Sequence, residues 1–471
     1  VKSLILSYYI IYNSMPKANK IQAKQLVLGK KRIYYITRDA ERATAGLLLG
    51  LPNYHIITND GPYAQKLKKK YPDKIIIKKL PAFDPTKLGL RRGEENQKML
   101  DTVDLLKHSE TKKLIKKEDK VMVFKNTTQI ENYCTEQNWT LLNPSAELAN
   151  LVEEKISQIK WLGPLAKYLP KYKITICKNI VWTGKKFILQ FNRSHTGSGT
   201  ILITSKKQLE EIKNKFPNRD IRIAEYVPGP LFTNNNIVWK NKILIGNISY
   251  QITGLKPFTD LPFATIGNDW ALPHKILNKK QIKQYKKIAV EVGRRLAKQN
   301  WKGLFGIDVV MNEKTGQLYL LEINARQPAS TTFESELQHS CHNGVSTVIP
   351  SHSEESLSKS MKDRQRSLTA VRDDNYITTF TAHLSALLSL PYQNQKIISI
   401  TDGSQIIQRV TANVPKINEP RVVKTDELRY VYYHTTAPNA DLLRIQTNSG
   451  VMEAHNKLNT EGRKMIDFVI C

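Results

Sequence analysis

The segment GLFGIDVVMNEKTGQLYLLEINAR, residues 303–326, constrains the fold more than any other stretch of the chain. Two apolar runs flank Glu313-Lys314-Thr315-Gly316, a pattern that predicts a β-hairpin. A turn centred near Thr315 sets Asp308 and Glu322 directly opposite each other. Opposed residues share a face with Cβ atoms about 5 Å apart, and Asn324, two positions beyond Glu322, joins that face. Ile307, Val309, Met311, Tyr319, Leu321 and Ile323 are then expected on the other, apolar face. Two carboxylates and an amide at one spot suit Mg2+, which is held by one or two carboxylates together with substrate phosphates. A solvated hairpin face, or acids paired with Arg326, is the alternative that the hairpin alone leaves open.

The chain before this hairpin alternates strands and helices. Residues 31–38 (KRIYYITR) read as a buried strand, and 40–49 as a helix stopped by Gly50. Apolar runs at 54–58, 74–78 and 120–125 are separated by helical stretches such as 63–70 and 128–137. That alternation argues for a parallel, Rossmann-like layer. No GxGxxG follows its first strand, so a dinucleotide there is unsupported. Ser145, after Pro144, is a candidate N-cap for a helix whose stripe runs Leu148, Val152, Lys155, Ile159, Leu162. A lysine among apolar partners is unfavourable unless an anion meets it or its head snorkels out at the stripe edge. Residues 173–248 are strand-rich, and 278–300 form a helix striped by Ile282, Tyr285, Ala289, Val292 and Leu296. Residues 346–372 are Ser-, Lys- and Asp-rich without periodicity, as in a linker or insertion. The end of the chain mixes an apolar helix at 382–390 with short strands such as 396–401 and 405–410.

Two further segments carry chemistry. In residues 187–203 (FILQFNRSHTGSGTILI) two strands bracket a Gly-rich loop whose free N–H groups could cradle phosphate, although a plain flexible hairpin loop fits equally. No GxxxxGK[ST] P-loop occurs. In residues 221–229 (IRIAEYVPG) a strand runs into Pro-Gly, an edge whose backbone could meet adenine, followed by a strand-like segment at 236–240.

At 471 residues and 40% apolar, the chain is long enough for about three domains with real cores. No apolar run approaches the roughly 20 residues a membrane-spanning helix needs. Lys and Arg number 72 against 42 Asp and Glu, a net charge of +30. The basic residues are dispersed and Lys-dominated beside abundant Ile, Asn and Tyr, which reads as compositional bias; nucleic acid is not an expected partner. Cys134, Cys177, Cys341 and Cys471 lie far apart without CxxC, against a zinc ribbon or a disulfide scaffold and in favour of a reducing cytoplasm. The apolar stretch at 4–12 lacks a small-residue cleavage site and fits a signal peptide poorly; Met15 is a reasonable true start.

The order of these pieces, a lysine-bearing helix, a Gly-rich hairpin loop, an EYV-G hinge, a helix, then GLFGIDVV and LLEINAR strands, resembles the ATP-grasp superfamily across residues 145–337. Biotin carboxylase and D-alanine–D-alanine ligase are familiar members. The resemblance implies an α/β and α+β architecture: a Rossmann-like pre-ATP-grasp domain at 31–144, a two-lobed ATP-grasp domain at 145–345 and a small β-rich C-terminal region at 376–471. Residues 1–30 would be an N-terminal extension and 346–375 a flexible linker or insertion. ATP and Mg2+ (or Mn2+) are the implied cofactors.

Residue by residue, Asp308, Glu322 and Asn324 match the family's metal-binding pattern, and Arg326 the arginine that faces the reacting phosphate. Lys155 resembles the lysine that reaches the ATP phosphates. Glu225, Tyr226 and Val227 match the adenine hinge, and His195, Thr196, Gly197, Ser198, Gly199 and Thr200 the phosphate-covering loop. Gln190 stands where many members carry a second lysine, so Arg193, His195 or Lys178 would have to make up the charge. The implied activity is a ligase that activates a carboxylate as an acyl-phosphate for attack by an amine, amide or thiol. An ATP-binding regulatory or catalytically impaired module is the alternative. Small-molecule substrates and no membrane are expected. The C-terminal region would close over the site or mediate a homodimer, and residues 249–254 with Asn268-Asp269-Trp270 would line the acceptor side.

Overall fold

Short apolar strands build the first layer. The structure, a computed structural model, describes residues 31–78, 99–192, 199–342, 375–414, 428–433, 435 and 437–470. Strands β1 (Ile33–Ile36), β2 (Tyr54–Asn59), β3 (Ile75–Lys78), β4 (Lys120–Val123) and β5 (Thr140–Leu141) form a parallel sheet in the order β3-β2-β1-β4-β5. Every residue of β1 is buried, as befits a central strand covered on both faces. The helix expected after it spans Ala40–Leu49 but winds as a 3-10 helix, with Asp39 capping its start and left-handed Gly50 ending it. The strand order reverses between β1 and β4, the crevice at which doubly wound sheets accept ligands.

The long helix expected across residues 145–162 is two. Helix α1 (Ala146–Glu153), with Ser145 as its N-cap, stops at Glu154, and α2 (Ser157–Leu162) restarts the turn. Beyond them β6 (Tyr172–Ile176), β7 (Phe187–Phe191), β8 (Thr200–Ile203) and β9 (Asp220–Glu225) form a small antiparallel sheet in the order β6-β9-β7-β8. Leu189, Phe191, Ile203 and Ile221 on one face pack against Leu209 and Ile212 of helix α3 (Lys206–Lys215).

The large sheet comprises β10 (Leu231–Trp239), β11 (Lys242–Leu244), β12 (Ser249–Thr253), β13 (Thr265–Asp269), β14 (Gly303–Met311) and β15 (Leu318–Asn324). Helix α4 (Lys279–Ala297) starts at an Asn278–Gln281 capping box and lays Tyr285, Ala289, Val292 and Leu296 on this sheet, the stripe the sequence predicts. Helix α5 (Thr331–His342) follows the hairpin.

The C-terminal region does not stand apart. After the short parallel pair β16 (Tyr376–Ile377) and β17 (Lys396–Ile397), strands β18 (Ser404–Arg409), β19 (Leu428–Tyr432) and β20 (Asp441–Thr447) prolong the large sheet through β13–β18 pairing. The expected strand at 396–401 thus shrinks to two residues, and the expected 382–390 helix is α6 (Thr379–Leu387). Phe380, Leu384 and Leu387 of α6 pack into the core of the parallel layer. The expected insertion at 346–372 lies outside the described residues. No described helix is long and apolar enough to cross a membrane.

Candidate active site

The hairpin of β14 and β15 pairs Asp308 with Glu322 and Gly306 with Asn324, the register expected from the sequence. One correction concerns its apolar face. The register shifts between Asp308 and Val309, and Val309 opposes Leu320, so Leu321 is an extra residue. Toward the turn the strand is therefore reversed, and Leu318 and Leu320 enter the core where Tyr319 and Leu321 were expected. The bulge bends the hairpin beside its acidic pair. Asn324 Nδ2 donates to Asp308 Oδ2 at 3.3 Å, and Arg326 Nη1 donates to Asn324 Oδ1 at 2.6 Å. Asp308 Oδ1 is buried and has no hydrogen-bond partner among the described residues.

Lys155 lies in the break between α1 and α2, not on a helix as its spacing suggested. The break has identifiable causes. Asn192, at the end of β7, accepts from Lys155 N at 3.2 Å and from Ile156 N at 2.9 Å, and donates to Glu154 Oε2 at 2.9 Å. Ser157 and Gln158 return their side chains to the carbonyls of Leu151 and Val152, satisfying the open end of α1. Lys155 is 6% exposed, so it does not snorkel. Its Nζ meets Glu322 Oε2 at 2.8 Å, the anion its apolar surroundings demand. Glu153, one turn end away, takes Lys125 at 2.5 Å and Arg326 Nε at 3.5 Å, tying the parallel layer to the hairpin. Sequence reading missed both Asn192 and Glu153.

The small sheet supplies a third wall. Gln190 on β7 opposes Thr200 on β8 and Arg222 on β9, so all three share the face away from α3. Gln190 Nε2 donates to Thr200 Oγ1 at 3.3 Å, whereas its Oε1 is buried without a partner among the described residues. Of the Gly-rich loop, Gly199 accepts from Phe191 N at 3.0 Å and Thr200 opens β8. Arg193, His195, Thr196, Gly197 and Ser198 lie outside the described residues. Lys178 is turned to Asn218 at 3.2 Å. Glu225 ends β9, and Tyr226 and Val227 carry the chain from the small sheet to the large one. Pro228 O and Pro230 O accept from Glu313 N and Met311 N, each at 3.0 Å, pinning this hinge to the hairpin. Gly229 (φ +142°) is required there: a Cβ would stand 2.0 Å from Met311 O.

Charge is concentrated between these walls. Burial, reinforced by the Glu322 charge, raises the Asp308 carboxyl to about 6 against the pull of Thr233, Lys155 and Arg326. Burial would raise Glu322 too, but Lys155, Arg326 and Arg222 hold it below the ordinary carboxylate range. An acid with an orphaned oxygen opposite an ionised one is an arrangement a divalent cation would complete. No group of three or more His, Cys, Asp or Glu with metal-binding geometry occurs among the described residues. Two carboxylates and an amide nevertheless fit Mg2+, which takes its remaining ligands from water and phosphate oxygens. Zinc, which prefers nitrogen and sulfur ligands, fits this donor set poorly.

The residues expected on the acceptor side are engaged in the fold. Asp269 accepts from Ala271 N, Leu272 N, Val451 N and Met452 N, and Trp270 packs on Phe333. Tyr250 bonds His455, and Gln251 bonds Thr265. The parallel layer reaches the site by another route. Gln327, directly after Arg326, accepts from Tyr35 Oη on β1 at 2.8 Å and donates to Arg42 O at 2.8 Å.

A parallel layer followed by two antiparallel sheets joined by a hinge, with an acidic hairpin in the larger sheet, defines an α/β and α+β architecture. Residues 152–330 match the family model described as the ATP-grasp domain, and the chain carries that domain. No curated protein matches it. Solved structures of the same fold include N5-carboxyaminoimidazole synthetase from Staphylococcus aureus complexed with ADP, at 11% identity and TM-score 0.57, covering 93% of this chain and 97% of that one. The N5-carboxyaminoimidazole synthase of Aspergillus clavatus, in complex with ADP and 5-aminoimidazole ribonucleotide, is 13% identical with TM-score 0.58, covering 93% and 99%. An L-amino acid ligase from Bacillus licheniformis is 14% identical with TM-score 0.53, covering 93% and 96%. At these identities the likeness is one of fold.

Proposed function

We propose that the protein is an ATP- and Mg2+-dependent ligase that activates a small-molecule carboxylate as an acyl-phosphate and joins it to an amine, amide or thiol. The observation that carries this reading is the half-buried Asp308, whose buried Oδ1 has no partner among the described residues, paired with Glu322 and flanked by Lys155 and Arg326. Adenine would lie against the backbone of Glu225, Tyr226 and Val227, and the triphosphate beside Gly199 and Thr200. Asp308 and Glu322, with Asn324 beside them, would hold Mg2+, which when bound neutralises phosphate charge and aligns the phosphates. Lys155 and Arg326 would offset negative charge that builds on the transferring group.

A carboxylate oxygen of the substrate attacks the γ-phosphorus and ADP leaves; the nucleophile then attacks the acyl carbon, loses its proton, and phosphate departs. No protein nucleophile is needed, only charge neutralisation and alignment. The meeting of Gln327 with Tyr35 and Arg42 favours an acceptor site at the carboxyl end of β1, the ligand edge of the parallel layer. The ligase and synthetase names of the similar structures are in keeping with this chemistry.

The test is ADP release with Mg2+ and a panel of carboxylates, each offered an amine, an amide and a thiol, for the wild type and Glu322→Gln. The variant should lose about 100-fold or more in turnover. Full metal-dependent turnover by the variant would refute the role of Glu322. Tight ATP binding without turnover across the panel would instead favour a regulatory module, the reading that Gln190 suggests.

A further inference from the structure

Arg222 is among the largest fully buried side chains of the protein, at 1% exposure. Its Nε and Nη1 are buried without a hydrogen-bond partner among the described residues. An arginine left this way is unfavourable unless an anion completes it. Its position says which anion. Arg222 opposes Gln190 across β9 and β7, so both side chains leave the sheet on the face turned from α3. From that face the guanidinium lies above the ring of Tyr172 at 5.9 Å and contributes to holding Glu322 ionised. Burial lowers its own pKa only to about 10, so it stays charged at neutral pH.

We propose that Arg222 binds the nucleotide phosphates, supplying from the neighbouring strand the positive charge that Gln190 lacks. This rests on the ATP-dependent ligase reading and completes it. A planar guanidinium offers two parallel donors to phosphate oxygens, and Gln190, its Oε1 without a partner among the described residues, stands beside it as a neutral neighbour. Lys178, a rival for this role, is exposed and donates to Asn218.

Calorimetry with Mg2+ and either ATP or adenosine, on wild type, Arg222→Gln and the double variant Arg222→Gln/Gln190→Lys, tests this. Arg222→Gln should weaken ATP about 10- to 100-fold while adenosine changes by less than about twofold, since only phosphate contacts are lost. Its melting temperature without nucleotide should not fall, because a buried charge without hydrogen bonds has been removed. The double variant should regain most of the ATP affinity, since the lysine restores the charge one strand away.

ATP affinity unchanged in Arg222→Gln, equal weakening of ATP and adenosine, or a double variant no tighter than the single one would overturn the assignment. Each of those results leaves the ligase reading standing. A wild type that binds no ATP at all would overturn both.

Discussion

Asp308→Asn separates the needs of folding from those of function. In the wild type without ligands this carboxylate is half-buried, faces the charge of Glu322 and leaves its buried Oδ1 without a partner among the described residues. An ionised buried acceptor with one oxygen unsatisfied is destabilising by about 1–3 kcal/mol. The Asn amide keeps the size, carries no charge, and can still accept from Asn324 through its oxygen. The variant is therefore expected to be the more stable protein in EDTA at pH 8, melting about 2–6 °C higher. With Mg2+ and ATP the order reverses. A ligand at 100 times its dissociation constant stabilises the wild type by about 2.7 kcal/mol, and most of that gain should vanish in the variant. Differential scanning fluorimetry with and without Mg2+ and ATP reads both effects. A variant that melts lower in EDTA would mean that Asp308 is a structural acid satisfied within the fold, and the account of the site would fail.

Other outcomes follow from the same contacts. Burial lifts Glu334 to about 7 even though Asn247 and Asn235 donate to it. The folded protein thus holds this proton more tightly than the unfolded chain, and the associated stability is present below about pH 4.5 and lost as pH rises through about 7. Glu334→Gln should flatten that decline in urea denaturation by up to about 1.4 kcal/mol per pH unit, and an unchanged slope would count against it. Gly229→Ala should destabilise by at least about 2 kcal/mol, since φ +142° and the Met311 carbonyl leave no room for a Cβ; an unchanged melting temperature would contradict the hinge geometry. Asn192→Ala frees the segment that presents Lys155 and should weaken ATP roughly 5- to 30-fold by calorimetry, whereas loss of stability with affinity intact would make Asn192 merely structural.

The parts of the site legible in the sequence were those set by local periodicity. Strand alternation about a central turn suffices to oppose Asp308 and Glu322, because both depend on residues within one hairpin. The same alternation failed beyond Leu321, since nothing local announces a bulge. The stripe through Lys155 also looked continuous. The contact that interrupts it comes from Asn192, across the small sheet, and a long-range hydrogen bond leaves no trace in helical spacing. Arg222 did carry a signal, a charge within the apolar run IRIAE, comparable to that of Lys155. Its meaning depends on which residue faces it, and the pairing with Gln190 becomes visible only once the strands are aligned. The joining of β18 to β13, far apart in the chain, was beyond local reading for the same reason.

The most direct test is a crystal grown with Mn2+ and a non-hydrolysable ATP analogue, with the anomalous signal locating the metal. The account predicts a peak bonded to carboxylate oxygens of Asp308 and Glu322 at about 2.1 Å, shared with the triphosphate. Triphosphate density elsewhere, or a metal that ignores both acids, would contradict it.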